Sequence, residues 1–292
     1  MRWSGRANST RCSRPDALTR IALFQSCTGI DPAANAGALI DAIDEAAAGG
    51  AEMLFTPEMS GLLDRDKERA ASKLRSEGQD ELLAAVQAAA KRTRIWVHLG
   101  SLAVVSSGGK LANRAFVIDP EGQVRARYDK IHLFDVDLPT GESWRESAVY
   151  DGGTQAVMVT GTPVGTLGLT ICYDLRFPAL FAALTEAGAQ AAAVPAAFTV
   201  PTGQAHWHVL LRARAIEAGV FVIAAAQSGQ HEDGRATFGH SLVIDPWGEV
   251  LLDMGEGNGV GFADIDLGRV DEVRSRVPAL HHRRPIGNVS PA

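Results

Sequence analysis

The sequence predicts an α/β fold in which two related halves pack their sheets together, and three observations predict it. Short apolar runs rich in β-branched residues alternate with alanine-rich stretches of helical periodicity. A strand–turn–strand unit occurs twice, once from Ala115 through Asp119-Pro120-Glu121-Gly122 to Val124 and again from Ser241 through Asp245-Pro246-Trp247-Gly248 to Val250. A segment that leaves a helix, crosses a buried strand and meets a proline also occurs twice, from Gly50 to Glu58 and from Gly188 to Ala196. The intervals between these echoes are similar but unequal, so a short-period solenoid is excluded.

Taken in order, Ile21 to Phe24 predicts the first strand. Asn35 to Ala48 predicts a helix, because Leu39, Ile40 and Ile43 share one face and Gly49-Gly50 stops it. Met53-Leu54-Phe55 reads as a buried strand halted at Pro57. Glu81 to Lys91 is a second helix, and Trp96 to Val105 a strand that closes at Ser106-Ser107-Gly108-Gly109. A single domain is expected from residue 19 to 292, irregular from about Val277, where Pro278, Pro285 and Pro291 deny backbone donors. Residues 1–18, with four arginines among serines and threonines, read as a disordered extension.

Composition narrows the function. Of 292 residues, 46 % are hydrophobic and 21 % charged, enough for a packed core. A net charge of −6 argues against a nucleic-acid partner bound through a broad basic face. Apolar runs such as Val220 to Ala226 fall short of the ~20 residues that span a bilayer, so no membrane partner is expected. Three cysteines, Cys12, Cys27 and Cys172, are too few and odd in number for a disulfide framework and point to a reducing, cytoplasmic setting. Five lysines stand against twenty-three arginines, and none follows Lys130, which singles that lysine out.

Cys172 is the best nucleophile candidate. The apolar strand Gly165 to Ile171 ends on it, and a helix is expected to begin near Pro178. A thiol at such a turn is offered at the sheet edge, where backbone N–H groups can face a developing oxyanion. Cys27 has no such setting and reads as a buried structural thiol. A thiol needs a base or a positive field, and no histidine presents itself. His206 and His208 are two apart on a predicted helix, His98 and His240 read as packing residues, and His281-His282 lie in the tail. No His, Cys, Asp or Glu set has metal-ligand spacing, so no metal or organic cofactor is expected. Glu58 follows a buried strand, where desolvation is expected to raise its pKa into general-base range. Lys130 follows another strand and precedes an apolar loop. A base, a cation and a thiol thus each stand at a strand's end.

That pattern resembles the nitrilase superfamily of carbon–nitrogen hydrolases, over about Arg20 to Pro285. The motifs are Thr56-Pro57-Glu58, Tyr128-Asp129-Lys130-Ile131-His132-Leu133-Phe134 and Ile171-Cys172-Tyr173-Asp174-Leu175-Arg176-Phe177-Pro178, supported by Ala205-His206-Trp207, Leu211-Arg212-Ala213-Arg214-Ala215-Ile216-Glu217 and Gly239-His240-Ser241. The details look most like the branch of deaminated glutathione amidase and ω-amidase. The resemblance implies a four-layer α-β-β-α sandwich, a homodimer or larger assembly, and amide hydrolysis through a Cys172 thioester. It implies Glu58 as base, Lys130 with the Tyr173 backbone N–H as oxyanion donors, and a second glutamate, Glu146 aligning better than its competitor Glu142. Arg176 is expected to bind a substrate carboxylate, its alternative being an ion pair with Asp174. Phe198 and Thr199 resemble pocket residues. His208 stands where relatives commonly have Glu. The same Glu-Lys-Cys set serves nitrile and N-carbamoyl hydrolysis, which are the rival activities, and a non-catalytic scaffold is the rival of another class.

Overall fold

The computed structural model describes residues 18–106, 108–137, 141 and 143–287. The expected extension, apart from Leu18, and the competitor Glu142 lie outside the described residues.

The first half runs β1 (Thr19–Gln25), α1 (Pro32–Ala48), β2 (Met53–Phe55), α2 (Lys67–Lys73), α3 (Glu81–Thr93), β3 (Trp96–Val105), β4 (Leu111–Ile118) and β5 (Val124–Asp129). A small hairpin, β6 (Asp135–Asp137) and β7 (Ser143–Arg145), leads on to β8 (Val157–Thr162). The second half follows with β9 (Gly165–Leu169), α4 (Pro178–Glu186), β10 (Ala191–Ala193), α5 (Val200–Ala218) and β11 (Phe221–Ala224). A second hairpin, β12 (Ser228–Gln230) and β13 (Ala236–Phe238), precedes β14 (Leu242–Ile244), β15 (Val250–Asp253), β16 (Gly259–Ile265) and α6 (Gly268–Arg276). Helix α2 and the β6–β7 hairpin were not expected. Both are short and polar, and neither carries a long apolar periodicity.

The two-half expectation holds in detail. One sheet has the order β16-β1-β2-β3-β4-β5 and the other β15-β14-β11-β10-β9-β8. In each, three parallel strands are followed by two antiparallel ones, and an antiparallel edge strand completes the other side. The parallel strands need helical crossovers, supplied by α1 and α3 in one half and by α4 and α5 in the other.

Local chemistry sets the element ends. Asp31 accepts the Ala33 N–H at 3.0 Å to start α1, with Pro32 in its first turn, where a missing N–H costs nothing. Asp80 caps α3 in the same way, and α5 stops at Gly219 in the left-handed region.

Packing then fixes the layers. Ile21, Leu23, Met53, Phe55, Ala115 and Val117 from the first sheet share one core with Leu167, Leu169 and Ala191 to Ala193 from the second. Ala22, Leu54, Val97, Leu99, Phe116 and Ile118 turn the other way, onto Leu39 and Ile43 of α1 and Leu82, Leu83 and Val86 of α3. Period-2 alternation thus makes each strand serve two interfaces, and the outcome is the expected α-β-β-α sandwich. Among the described residues, no helix is long and apolar enough to cross a membrane.

His98, in β3, is 1 % exposed, lies against Phe55, and neither ring nitrogen has a hydrogen-bond partner. Burial pushes its pKa from 6.5 down to about 3. Between those values the unfolded chain binds a proton that the folded chain refuses. Stability present above pH 6.5 is therefore lost as the pH falls toward 3, by about 5 kcal/mol in total. Urea unfolding of wild type and His98→Leu across that window should show a shallower pH slope in the variant; equal slopes would acquit the imidazole.

Candidate active site

Glu58 lies three residues past β2, and the chain turns beneath it under tight constraint. Met59 is in the left-handed region at φ 57°, its N–H held by Ser101 Oγ at 2.9 Å. Gly100 is required there, because a Cβ would collide with the Thr56 and Pro57 carbonyl oxygens and with Pro195. Cys172 ends the β9 segment and opens a tight turn to Arg176, itself at φ 48°, with its N–H donating to Pro195 O at 2.8 Å. A non-glycine residue there stores backbone strain, a common trait of nucleophile turns. The helix expected near Pro178 begins on that residue.

Asp174 ties the cysteine turn to the lysine loop. Fully buried, its carboxylate accepts from Tyr128 Oη (2.6 Å), the His132 N–H (3.0 Å) and the Ile171 N–H (2.9 Å), and meets His132 Nδ1 at 2.7 Å. The His132 ring stacks on Phe177 with centroids 3.6 Å apart. From α5, the buried Arg214 donates to Leu175 O at 2.9 Å. These contacts explain why charged residues sit among apolar ones in the lysine and cysteine motifs and in the Leu211 to Glu217 stretch.

The result is a buried polar cluster between the strand ends. Lys130, 2 % exposed, donates from Nζ to Glu58 Oε1 at 2.9 Å and to Glu146 Oε2 and Oε1 at 2.9 and 3.1 Å. Asn113 Nδ2 bridges the same two carboxylates, at 2.9 Å to Glu58 Oε1 and 3.1 Å to Glu146 Oε1. Glu58 Oε2 accepts the Ala197 N–H at 3.0 Å, and Glu146 Oε2 accepts the Phe134 N–H at 2.7 Å. Cys172, 8 % exposed, is hydrogen-bonded to Glu58.

Electrostatics corrects one expectation. Burial alone would raise the Glu58 pKa, as expected from the sequence. The Lys130 charge, with hydrogen bonds from Cys172, Lys130 and Asn113, outweighs it and holds the carboxyl below its ordinary value. Lys130 is likewise driven up against its own burial by Glu146 and Glu58. Burial and the Glu58 charge push the Cys172 thiol well above its ordinary range, against the pull of Lys130. The resting site is therefore a neutral thiol beside an ionised carboxylate, an arrangement suited to moving the proton during attack.

These groups border a cavity of about 910 Å³, large for a small-molecule site. Glu58, Lys130, Glu146, Cys172, Tyr173, Phe198 and Thr199 all line it. Arg176 does not. Its guanidinium lies over the Tyr173 and Phe198 rings and meets His206 Nδ1 at 3.1 Å, and Asp174, its expected alternative partner, is taken by other groups. Besides Lys130, the cations on the cavity wall are Arg65, Lys67, Lys110, Arg145 and Arg235, with Arg65 and Arg235 on the Trp144 ring at 4.8 and 5.3 Å. His208 is also outside the wall, paired with Asp253 at 3.0 Å. Cys27, expected to be buried, is exposed, with Sγ on Gln230 O at 3.2 Å. Sequence reasoning missed Asn113; its signal was a fully polar side chain inside the apolar strand β4.

Comparison with known proteins agrees with this arrangement. The carbon-nitrogen hydrolase family model matches residues 20–275. A deaminated glutathione amidase of Synechocystis is 42 % identical over 82 % of this chain and 89 % of its own. The Caenorhabditis elegans NitFhit protein superposes with a TM-score of 0.85 at 38 % identity, over 91 % of this chain, which spans 65 % of that one. Saccharomyces cerevisiae Nit3, a member of the nitrilase superfamily, gives 0.80 at 26 % identity, over 89 % and 94 %. With Glu58, Lys130 and Cys172 meeting at one cavity and the family model spanning nearly the whole chain, this protein belongs to the carbon-nitrogen hydrolases, enzymes of non-peptide C–N bonds.

Proposed function

We propose that the enzyme hydrolyses the terminal amide of a carboxylate-bearing substrate, foremost deaminated glutathione, to the acid and ammonia. The observation that carries this reading is the buried Lys130 held between Glu58 and Glu146 beside the Cys172 thiol. Glu58 takes the thiol proton as sulfur attacks the amide carbonyl. Lys130 and the Tyr173 N–H stabilise the oxyanion. Protonated Glu58 passes its proton to departing ammonia, then activates the water that cleaves the thioester. Glu146 holds Lys130 in place, while burial and the Glu58 charge leave the thiol neutral until substrate arrives.

The substrate's length follows from the cavity. Its volume exceeds what a five-carbon ω-amide fills, and its cationic wall suits a carboxylate placed away from the reacting amide. Ammonia release from deaminated glutathione and from α-ketoglutaramate, side by side with Cys172→Ala as control, tests this. Preference for the first supports the reading; preference for the second moves the enzyme to ω-amides. Release from neither, with turnover of a nitrile or carbamoyl compound, would overturn it. Arg235→Ala should raise KM about 10–100-fold with little change in kcat, the size of a lost charged hydrogen bond.

The exposed apolar side chains Val209 and Ile216 of α5, Trp247 and Val277 support a homodimer that covers them. Ile216→Glu should shift the protein to monomer in sedimentation equilibrium. The free Cys27 and Cys172 thiols support a cytoplasmic setting.

A further inference from the structure

A second cluster of reactive side chains lies outside the catalytic cavity. His208 on α5, His240 before β14 and Asp253 at the end of β15 bring their ligand atoms within 4.8 Å of one another. His208 Nε2 is 3.0 Å from Asp253 Oδ2, and His240 Nδ1 is 2.9 Å from Asp253 Oδ1. Two imidazoles thus share the two oxygens of one carboxylate. None of the three lines the cavity.

The cluster is built rather than loosely gathered. His240 is held in the left-handed region at φ 55°, a conformation costly for a residue with a Cβ. Its N–H donates to Gly255 O at 2.7 Å and its carbonyl accepts from Trp207 Nε1 at 2.8 Å. Its ring stacks on Phe238 with centroids 4.5 Å apart, and the same Phe238 meets the His208 ring edge-on at 6.1 Å. Asp253 is steadied by the Gly255 N–H at 2.9 Å. Each ligand is therefore fixed by its own element, and the side chains remain partly open to solvent, which gives an ion a way in and leaves room for water.

We propose that His208, His240 and Asp253 form a binding site for a divalent transition-metal ion, Zn²⁺ being the best fit. Imidazole nitrogens select Zn²⁺, Ni²⁺ or Cu²⁺ over Mg²⁺ or Ca²⁺, which prefer all-oxygen shells. Bonds of about 2.0–2.2 Å place tetrahedral ligand atoms roughly 3.3–3.6 Å apart, so small ring movements convert the existing hydrogen-bonded set into a coordination shell with water as fourth ligand. Each ring would present a bare nitrogen to the ion and carry its remaining proton on the other nitrogen. The ion would tie α5 to β15 and to the segment after β13. Strand β13 contributes Ala236 and Thr237 to the cavity wall, so the site can stiffen that wall without entering it.

The site escaped sequence spacing because its ligands are 32 and 13 residues apart and come from three elements.

The test is Zn²⁺ binding to tag-free, full-length protein carrying Cys172→Ala, so that the catalytic thiol cannot act as ligand. Calorimetry should give one Zn²⁺ per chain, with no Mg²⁺ bound. Co²⁺ in its place should show visible ligand-field bands. His208→Gln, Asp253→Asn and His240→Asn, the last tolerant of the left-handed backbone, should each weaken Zn²⁺ roughly tenfold or more. A double His281→Ala and His282→Ala variant should bind as the parent does. Saturating Zn²⁺ should also raise Tm in the parent and not in the three variants, provided their circular dichroism shows them folded. No Zn²⁺ uptake by the folded parent, or uptake unchanged in the three variants, would overturn the proposal.

Discussion

Lys130→Arg is expected to lower kcat about 10³-fold while the protein still folds. The ammonium touches three carboxylate oxygens at 2.9–3.1 Å in a space with 2 % exposure. A guanidinium keeps the charge but adds bulk and a fixed planar fork. It can pair with Glu58 or Glu146, yet it cannot also offer a compact donor to the oxyanion, a loss worth two to three orders of magnitude. Overpacking adds about 1–3 kcal/mol of destabilisation. Steady-state ammonia release and thermal unfolding measured together separate the two effects. Near-normal kcat in this variant would remove Lys130 from the chemistry and leave it a structural ion-pair partner. A neutral replacement is a poorer experiment, because it strands two buried carboxylates and can cost 3–5 kcal/mol of stability.

Glu58→Gln is expected to reduce kcat about 10⁴-fold, the upper range for a lost general base, yet to leave Cys172 open to alkylation. The amide keeps the shape, and its one oxygen can still accept from Lys130 and Asn113, while its NH2 takes the place of the oxygen that faced the Ala197 N–H. It removes the negative charge that, after burial, does most to keep the thiol protonated. Turnover and thiol reactivity should therefore part company. Mass spectrometry after iodoacetamide treatment, set beside kcat, reads both. Turnover within tenfold of wild type would transfer the base role elsewhere. A Cys172 made inert together with lost turnover would point to a collapsed site instead.

The three chemical groups were legible because each stands where a strand ends. Alternation and turn residues mark those ends in the sequence, so Glu58, Lys130 and Cys172 could each be placed at a strand's end before any coordinates. Glu146 was harder, since it sits in a polar loop; its place is fixed by hydrogen bonds to Lys130 and the Phe134 N–H rather than by an apolar pattern. Asn113 was invisible as a site residue for the opposite reason. Its strand has a pattern, and one polar residue inside it says nothing of what it faces.

By itself, then, the sequence determined the strand and helix grammar, the duplication of that grammar in two halves, and the identity of the thiol, the cation and the base. These are local properties, set by periodicity, turn chemistry and motif. Only the tertiary structure decided the sums. The direction of the Glu58 shift is a balance between burial and the charge of a lysine 72 residues away. Arg176 lies on two aromatic rings outside the cavity wall, although four positions from the nucleophile it seemed placed to serve the substrate. The meeting of His208, His240 and Asp253 likewise needs both α5 and the β14–β15 hairpin to be in place. Each is a non-local contact in a low-dielectric interior or on a folded surface, where energy depends on distances that no linear spacing encodes.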